Sequence, residues 1–306
     1  MAARTVAASH IGPHLAWDLI KETVASWKRD YAPSMGAAIA YYTAFSIAPL
    51  LLIAIAVAGL VFGVDAARGE VVTQLQGLMG DSAARAIQGM LQSADKPGHG
   101  VVSTLIGTAL LIIGATTVFA ELQDALDRIW RAPVRPRGGL WSLLRARLLS
   151  FGLILAIGFL ILVSLLFSAA MAALGRWMGP GVGWEVVAQA LNFVLSFALM
   201  SGLFALIYKL MPRVHVAWHD VWTGAVVTAA LFTIGKLLIG LYIGKSGVTS
   251  VFGAAGSIAV LLLWVYYSAQ IFLLGAEFTW VYAHRLGSLK GQPLKPAPDT
   301  RAEASR

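Results

Sequence analysis

The chain has 306 residues, of which 58% are hydrophobic and only 12% are charged, and its formal net charge is +8. Because a soluble domain of this size carries about 25% charged residues, the composition excludes an ordinary soluble protein and indicates a polytopic membrane protein. The chain contains no cysteine, which excludes disulfides and thiolate chemistry.

The N-terminal region, residues 1–35, is predicted to be cytoplasmic and to contain one amphipathic helix. Residues 1–12 are small and polar, and we expect them to be disordered. From Pro13 to Tyr31, apolar residues recur at helical spacing on one face, and lysine and arginine occupy the others. This pattern is typical of a helix at the membrane interface, and it fits equally well a helix packed against the protein's own bundle. The apolar face consists of Trp17, Ile20, Val24, Trp27 and Tyr31.

Six hydrophobic stretches are long enough to cross a bilayer as helices. The predicted fold class is therefore all-α, with a six-helix membrane domain over residues 36–285. Between the first two spans, residues 63–100 are predicted to form two short extracytoplasmic helices, broken near Gly80. The basic segment 286–306 is predicted to be a disordered cytoplasmic tail. The spans are predicted at about 36–62, 101–120, 148–174, 186–210, 221–243 and 253–282.

The positions of lysine and arginine predict the orientation in the membrane. With six spans, the segments between them alternate between the two sides of the membrane. Of the 23 lysine and arginine residues, 17 lie in segments on the side of the termini, 5 lie on the other side, and Lys236 lies within a span. Cytoplasmic loops carry the excess of lysine and arginine, so both termini of the multi-pass chain are predicted to be cytoplasmic. Topology and attraction to anionic lipid headgroups account for the basic charge. We therefore expect membrane lipids, and no nucleic acid, as partners.

The last predicted span carries a polar stripe, in which Tyr266, Gln270 and Glu277 share one helical face. A carboxylate within a spanning helix is costly and usually faces the bundle interior. Glu277 is predicted near the cytoplasmic end of its helix. Its predicted neighbours at that depth are Tyr42 and Ser46 of the first span and Glu121 and Asp124 at the end of the second.

Three interpretations of Glu277 remain open from the sequence. The stripe and its neighbours form a hydrophilic pocket on a substrate or proton pathway. Alternatively, tyrosine hydroxyls or Arg128 bind the carboxylate in a closed interhelical network. In the third interpretation, the carboxylate lies at the interface in water.

Lys236, in the fifth predicted span, is the other charge within the membrane and a second candidate pathway residue. Its predicted depth differs from that of Glu277 by roughly 15 Å, at about 1.5 Å per helical residue, so the two are not expected to pair. Its long side chain either extends toward outer water or lines an outward-facing cavity.

Motifs for enzymatic chemistry are absent from the sequence. It contains no GxxxxGK[ST] phosphate loop, no HExxH and no cluster of metal-ligating histidines. We therefore expect no catalytic residues, no metal, no cofactor and no enzymatic activity. Gly240 and Gly244 have the spacing of a helix-packing motif, but glycine is common in spanning helices, so the pair does not predict an oligomer.

Five sequence blocks between residues 13 and 285 resemble the bacterial YihY/BrkB family of inner-membrane proteins. The resemblance implies six spanning helices and a cytoplasmic-membrane location. One branch of that family carries a virulence or serum-resistance label, and other members carry an older label, the transfer-RNA-processing ribonuclease BN. The blocks are Met35–Leu50, Glu121–Trp130, Gly235-Lys236 with Tyr242, Phe252–Ser257, and Leu263–Ser268 with Gly275-Ala-Glu277.

The polar stripe and the absence of an ATP site favour a transporter or flippase-like protein for a lipid or small amphiphile of the cell envelope. The alternative is a non-catalytic scaffold or partner of other envelope proteins, with the amphipathic helix and the outward helices as contact surfaces. A membrane-bound hydrolase or ribonuclease ranks last. Phosphodiester hydrolysis needs clustered metal ligands or a positioned acid–base pair, and the short loops offer neither.

Overall fold

The structure, a computed structural model, describes residues 13–94, 117–133, 182–246 and 256–292. Within these ranges every regular element is a helix and no residue is in a strand, so the predicted all-α class is confirmed. The helices are α1 (Pro13–Arg29), α2 (Ala32–Phe62), α3 (Val64–Ala94), α4 (residues 117–129), α5 (Val182–Leu210), α6 (Trp218–Ser246) and α7 (Gly256–Arg285).

Three of these helices are long and apolar enough to cross a membrane: Val186–Leu210, Trp218–Ile243 and Ile258–Arg285. They correspond to the fourth, fifth and sixth predicted spans. The first predicted span lies within α2, which has 31 residues and no charged side chain. The third predicted span, and the second up to residue 116, lie outside the described residues. The full count of six spans therefore stays a prediction.

The prediction of two short helices over residues 63–100 is wrong in one respect, because α3 runs without a break from Val64 to Ala94. A single glycine costs a helix only about 1 kcal/mol, so Gly80 alone does not end it. α3 also packs against α2 and α7, and this tertiary contact supports the continuous helix. The turn between α2 and α3 is a single residue, Gly63, whose φ of 85° favours glycine.

α7 is the central helix of the described structure, since it packs against α1, α2, α3 and α6. Two apolar clusters lie along it. One joins Leu273 and Trp280 to α1, α4, α5 and α6, and includes Leu126 and Tyr208. The other joins residues in the first half of α7, such as Leu261, to α2, α3 and the end of α6. The first cluster surrounds the residues that carry the chemistry described below.

α1 forms where the sequence predicts a helix, but most of its predicted apolar face is exposed. Trp17, Ile20 and Tyr31 are more than half exposed, whereas Leu19 and Thr23 are buried. Trp27, at the edge of the predicted apolar face, packs against the first apolar cluster, so the bundle contacts α1 beside that face and at its edge. Its location at a membrane interface stays a prediction.

The chain segments that the charge distribution predicts to be cytoplasmic meet at one end of the bundle. The predicted tail begins at residue 286, and the structure describes residues 286–292 of it as turns. Ser288 in these turns donates its backbone N–H and its hydroxyl to the buried carboxylate of Asp220, at the start of α6. Arg285 pairs with Glu22 of α1, with 2.7 Å between Nε and Oε2.

Candidate functional site

Two carboxyl groups lie side by side in the interior of the described structure. Glu277 of α7 and Asp30, the first residue after α1, are both 0% exposed. Their side chains are within hydrogen-bonding reach of each other. Neither oxygen of Glu277 accepts a hydrogen bond from any described N–H or O–H group. Burial without a donor is costly for a carboxyl group, so this contact needs a physical explanation.

One arginine contacts this pair of carboxyl groups, through Asp30. Nη1 of Arg131 lies 2.7 Å from Oδ2 of Asp30, and the arginine side chain is only 6% exposed. Its guanidinium carbon also lies 5.1 Å from the ring centroid of Trp280, a distance suited to a cation–π contact. The positive charge is therefore held in place by an acid on one side and an aromatic face on the other.

The backbone is unusual on both sides of this cluster. Tyr31 and Arg131 have φ angles of 58° and 53°, and among the described residues they are the only two other than glycine with positive φ. Residues held in the left-handed region are uncommon and persist where the surrounding structure fixes them. The turn at Tyr31 follows Asp30 directly, and the turn at Arg131 follows α4. The two turns thus bring Asp30 and Arg131 together.

Contacts of the segment after α5 hold α4 in position. The carboxylate of Asp127 accepts the backbone N–H of Arg213 at 2.7 Å and pairs with its Nε at 3.4 Å. Nε2 of Gln123 donates to the carbonyl oxygen of Met211 at 2.9 Å. These contacts fix the end of α4, and with it the position of Arg131.

Gln270 of the polar stripe contacts the first turn of α2, at a backbone carbonyl. Nε2 of Gln270 donates to the carbonyl oxygen of Pro33 at 3.4 Å. The Ser46 hydroxyl is buried and donates to the carbonyl oxygen of Tyr42 at 2.8 Å. Neither bond reaches Glu277. Tyr266 is half-buried against the second apolar cluster, toward the other end of α7.

The remaining candidate residues lie on α4 and α6. Glu121 is half-buried and Asp124 is exposed on α4, and Lys236 is half-buried on α6. The charged groups near Glu277 are instead Asp30, Arg131 and Arg29. The described structure thus surrounds Glu277 with α1 and the end of α4, rather than with the carboxylates of α4 that the sequence suggests.

Sequence reasoning identified Glu277 but missed Asp30 and Arg131. Asp30 follows Lys28 and Arg29 at a predicted helix end, where a charged residue is expected to be solvated. Arg131 begins a basic loop and looks like one more cytoplasmic charge. Helical periodicity marked neither residue, because both lie just beyond a helix end, in turns with positive φ.

A second buried polar cluster, between α5, α6 and α7, is fully hydrogen-bonded. The Tyr208 hydroxyl donates to the carbonyl oxygen of Phe272 at 2.7 Å and lies 3.1 Å from the Thr228 hydroxyl. Thr228 in turn donates to the carbonyl oxygen of Gly224. Gly275 lets α7 approach this pair, since a Cβ atom there would overlap Thr228 Oγ1. A satisfied network of this kind fixes how helices pack.

Comparison with known proteins agrees with this membrane architecture. Residues 23–300 match the family described as "Virulence factor BrkB". A UPF0761 membrane protein of Pseudomonas aeruginosa (strain LESB58) is 29% identical over 249 residues, which cover 81% of this chain and 58% of the relative. A UPF0761 membrane protein of Verminephrobacter eiseniae is 28% identical over 274 residues, covering 86% of this chain and 62% of the relative.

The chain spans less than two thirds of the length of these two relatives. No solved structure matches it significantly. The family match covers most of the chain and includes the Asp30, Arg131 and Glu277 positions. The resemblance noted in the sequence is thereby confirmed, and the chain is an integral membrane protein that belongs to the YihY/BrkB family.

Proposed function

We propose that this protein is a non-enzymatic transporter of the bacterial cytoplasmic membrane that moves a lipid or small amphiphile. The observation that carries the proposal is the carboxyl group of Glu277, buried in a membrane helix without a donor among the described residues. Ionisable residues inside membrane helices are expensive, and they commonly mark pathways or relays. A purely structural carboxylate would be expected to accept hydrogen bonds, as that of Asp220 does.

The chemistry around Glu277 supports an amphiphilic substrate. Arg131 and its aromatic neighbour Trp280 supply a cation beside a large apolar surface. A second pair of the same kind lies nearby in the chain, where Arg128 stands 5.5 Å from the ring centroid of Tyr31. Guanidinium groups bind phosphate and carboxylate headgroups, and aromatic rings contact the adjoining acyl chain.

The proposal is tested with purified protein in vesicles that contain a fluorescent phospholipid. Wild-type protein is expected to accelerate movement of the probe between leaflets, measured by quenching with an impermeant reductant. Glu277→Gln keeps the size of the side chain and is expected to abolish this movement. The matched control is Glu22→Gln, which removes a carboxylate of the partly exposed Glu22–Arg285 pair and is expected to retain it.

Two outcomes would contradict the proposal. Wild-type protein that moves no lipid or amphiphile probe faster than protein-free vesicles would remove the transport function. Full activity of folded Glu277→Gln would remove Glu277 from the mechanism. Folding of each variant is checked by its elution as a single species and by its helical circular dichroism.

A second candidate is a scaffold for other envelope proteins, and the exposed apolar face of α1 favours it. Trp17 and Ile20 are 57% and 52% exposed. Crosslinking from Trp17 in cells distinguishes the two candidates, since a scaffold yields a specific protein adduct there. Adducts with lipid alone would count against the scaffold.

A further inference from the structure

If Asp30 and Glu277 are both ionised, the contact between them lacks a hydrogen-bond donor. An ionised carboxylate only accepts hydrogen bonds, so two ionised groups within hydrogen-bonding reach repel each other and form no bond. A single proton between them changes this, because one group then donates to the other. Both side chains are 0% exposed, so bulk water does not take the place of the missing donor.

Charge balance leads to the same conclusion. Arg131 is in direct contact with Asp30. Arg29 also acts on Glu277, but its Nη2 donates to Ser26 Oγ at 2.7 Å, and its side chain is on the exposed side of α1. With both carboxyl groups ionised, the cluster would hold two negative charges against one buried positive charge. With one proton, the buried charges cancel, and an uncompensated buried charge is avoided.

Within residues 13–94, 117–133, 182–246 and 256–292, the other elements around α7 bring no further cation to the pair. α2 has no charged side chain. At the start of α6, the Asp220 carboxylate binds Ser288, and at the end of α5, Nζ of Lys209 donates to the carbonyl oxygen of Val216. Arg128 of α4 stands over the ring of Tyr31. Asp30 and Glu277 therefore form one charged unit, with Arg131 as its counter-charge and Arg29 at its solvent side.

We propose that Asp30 and Glu277 form a proton-binding site that holds one shared proton at neutral pH. When the proton is released, the positive charge of Arg131 takes over part of its role in offsetting the two carboxylates. Two neighbouring carboxyl groups that share one proton avoid the repulsion of two like charges. Loss of the proton leaves a net negative charge beside Arg131, which pulls the arginine toward the pair and away from Trp280. The binding of the proton is inferred from the burial of both carboxyl groups, from their oxygens without a donor and from the single buried arginine beside them. Its use as the driving ion of transport rests on the proposed function.

The test is infrared spectroscopy of the whole protein in lipid nanodiscs. Wild-type protein is expected to show the carbonyl stretch of a protonated carboxyl group at neutral pH, with the shift that deuterium exchange produces. Glu277→Gln and Asp30→Asn are each expected to lose this band. In either variant, the remaining carboxylate accepts a hydrogen bond from the new amide and balances Arg131. Glu22→Gln is the matched control and is expected to keep the band.

Absence of the band in wild-type protein, or its persistence in both variants, would overturn the proposal. If a variant does not fold, the wild-type titration still decides, because a shared proton requires the band at neutral pH and its loss at high pH. The vesicle assay separates this inference from the transport function. Lipid movement without the band would refute the proton site alone, and the band without lipid movement would refute transport alone.

Discussion

Arg131 and Asp30 form an ion pair with 2.7 Å between Nη1 and Oδ2, and the two side chains are 6% and 0% exposed. The pair joins the end of α1 to the segment after α4, across a large distance in sequence. It also leaves Glu277 as the one acid of this cluster without its own cation. The stability of the N-terminal helix and the chemistry of the last helix therefore depend on the same arginine.

Removing this arginine is expected to destabilise the protein strongly. Arg131→Ala leaves two buried carboxyl groups without a cation, and breaking a buried pair in this way costs about 3–5 kcal/mol. Arg285→Ala is the matched control, because its pair with Glu22 has the same 2.7 Å distance but an arginine that is 60% exposed. Such exposed pairs contribute about 0–1 kcal/mol. Thermal unfolding in detergent compares the stability of the two variants. Equal losses of stability would contradict the view that the buried Arg131 pair contributes more than the exposed Arg285 pair.

Substitution by alanine is predicted to have opposite effects at two glycines, Gly275 of α7, which lies against α6, and Gly240 on an open face of α6. At Gly275 a Cβ atom would overlap Thr228 Oγ1 and lie 2.7 Å from the Tyr208 hydroxyl. Gly275→Ala is expected to cost about 1–3 kcal/mol in unfolding free energy, as overpacking does. At Gly240 no described atom lies within 4 Å of the added carbon. Gly240→Ala is expected to be neutral or to stabilise the helix by up to about 1 kcal/mol.

The two glycine variants are compared by their unfolding midpoints under identical detergent conditions. Destabilisation by Gly240→Ala as large as that by Gly275→Ala would indicate that α6 has a partner on its exposed face. It would then be necessary to examine whether Gly240 and Gly244 pack against a second copy.

The hydrogen bonds of the Asp220 carboxylate predict that the segment after α7 is protected from proteolysis. Ser288 donates its backbone N–H and its hydroxyl to Asp220, and Leu289 packs against the first apolar cluster. Asp220→Ala removes the acceptor for both donors, so trypsin is expected to cleave after Lys290 several-fold faster. Asp18→Ala, at an exposed position on α1, is the control and is expected to leave the rate unchanged. An unchanged rate in Asp220→Ala would show that the turns are held by other contacts.

The predicted orientation can be tested directly because the chain contains no cysteine. Asp65→Cys lies at the start of α3 and Gln292→Cys in the turns after α7, and both positions are exposed. An impermeant maleimide is expected to label Asp65→Cys in intact cells, and Gln292→Cys only after the membrane is opened. The reason is the excess of lysine and arginine on the side of the termini. Labelling of both from outside would refute the orientation.

Hydropathy located the three candidate membrane helices among the described residues, because the bilayer sets the length and composition of such helices. The fourth predicted span, residues 186–210, coincides with the apolar part of α5. The continuity of α3 was missed because a glycine and several polar residues suggest an end, whereas contacts with α2 and α7 support a continuous helix. Those contacts come from distant parts of the chain, and no local pattern encodes them.

The candidate site was predictable only in part. Glu277 is conspicuous as a lone acid in an apolar helix, and burial followed from that. Its neighbours depend on how each helix rotates about its axis and on two positive-φ turns, at Tyr31 and Arg131. Helical spacing orders residues within one helix but carries no information about rotation relative to another. For this reason Glu121 and Asp124 were expected where Asp30 and Arg131 lie.

The position of α7 has a consequence for how the protein is made. Every described helix that α7 contacts precedes it in the chain, and Glu277 and Trp280 lie in its second half. During synthesis from the N-terminus, Asp30 and Arg131 leave the ribosome long before the residues that cover them. The surfaces of α1, α2, α3 and α6 that pack against α7 therefore lack this partner until residues 256–285 are synthesised.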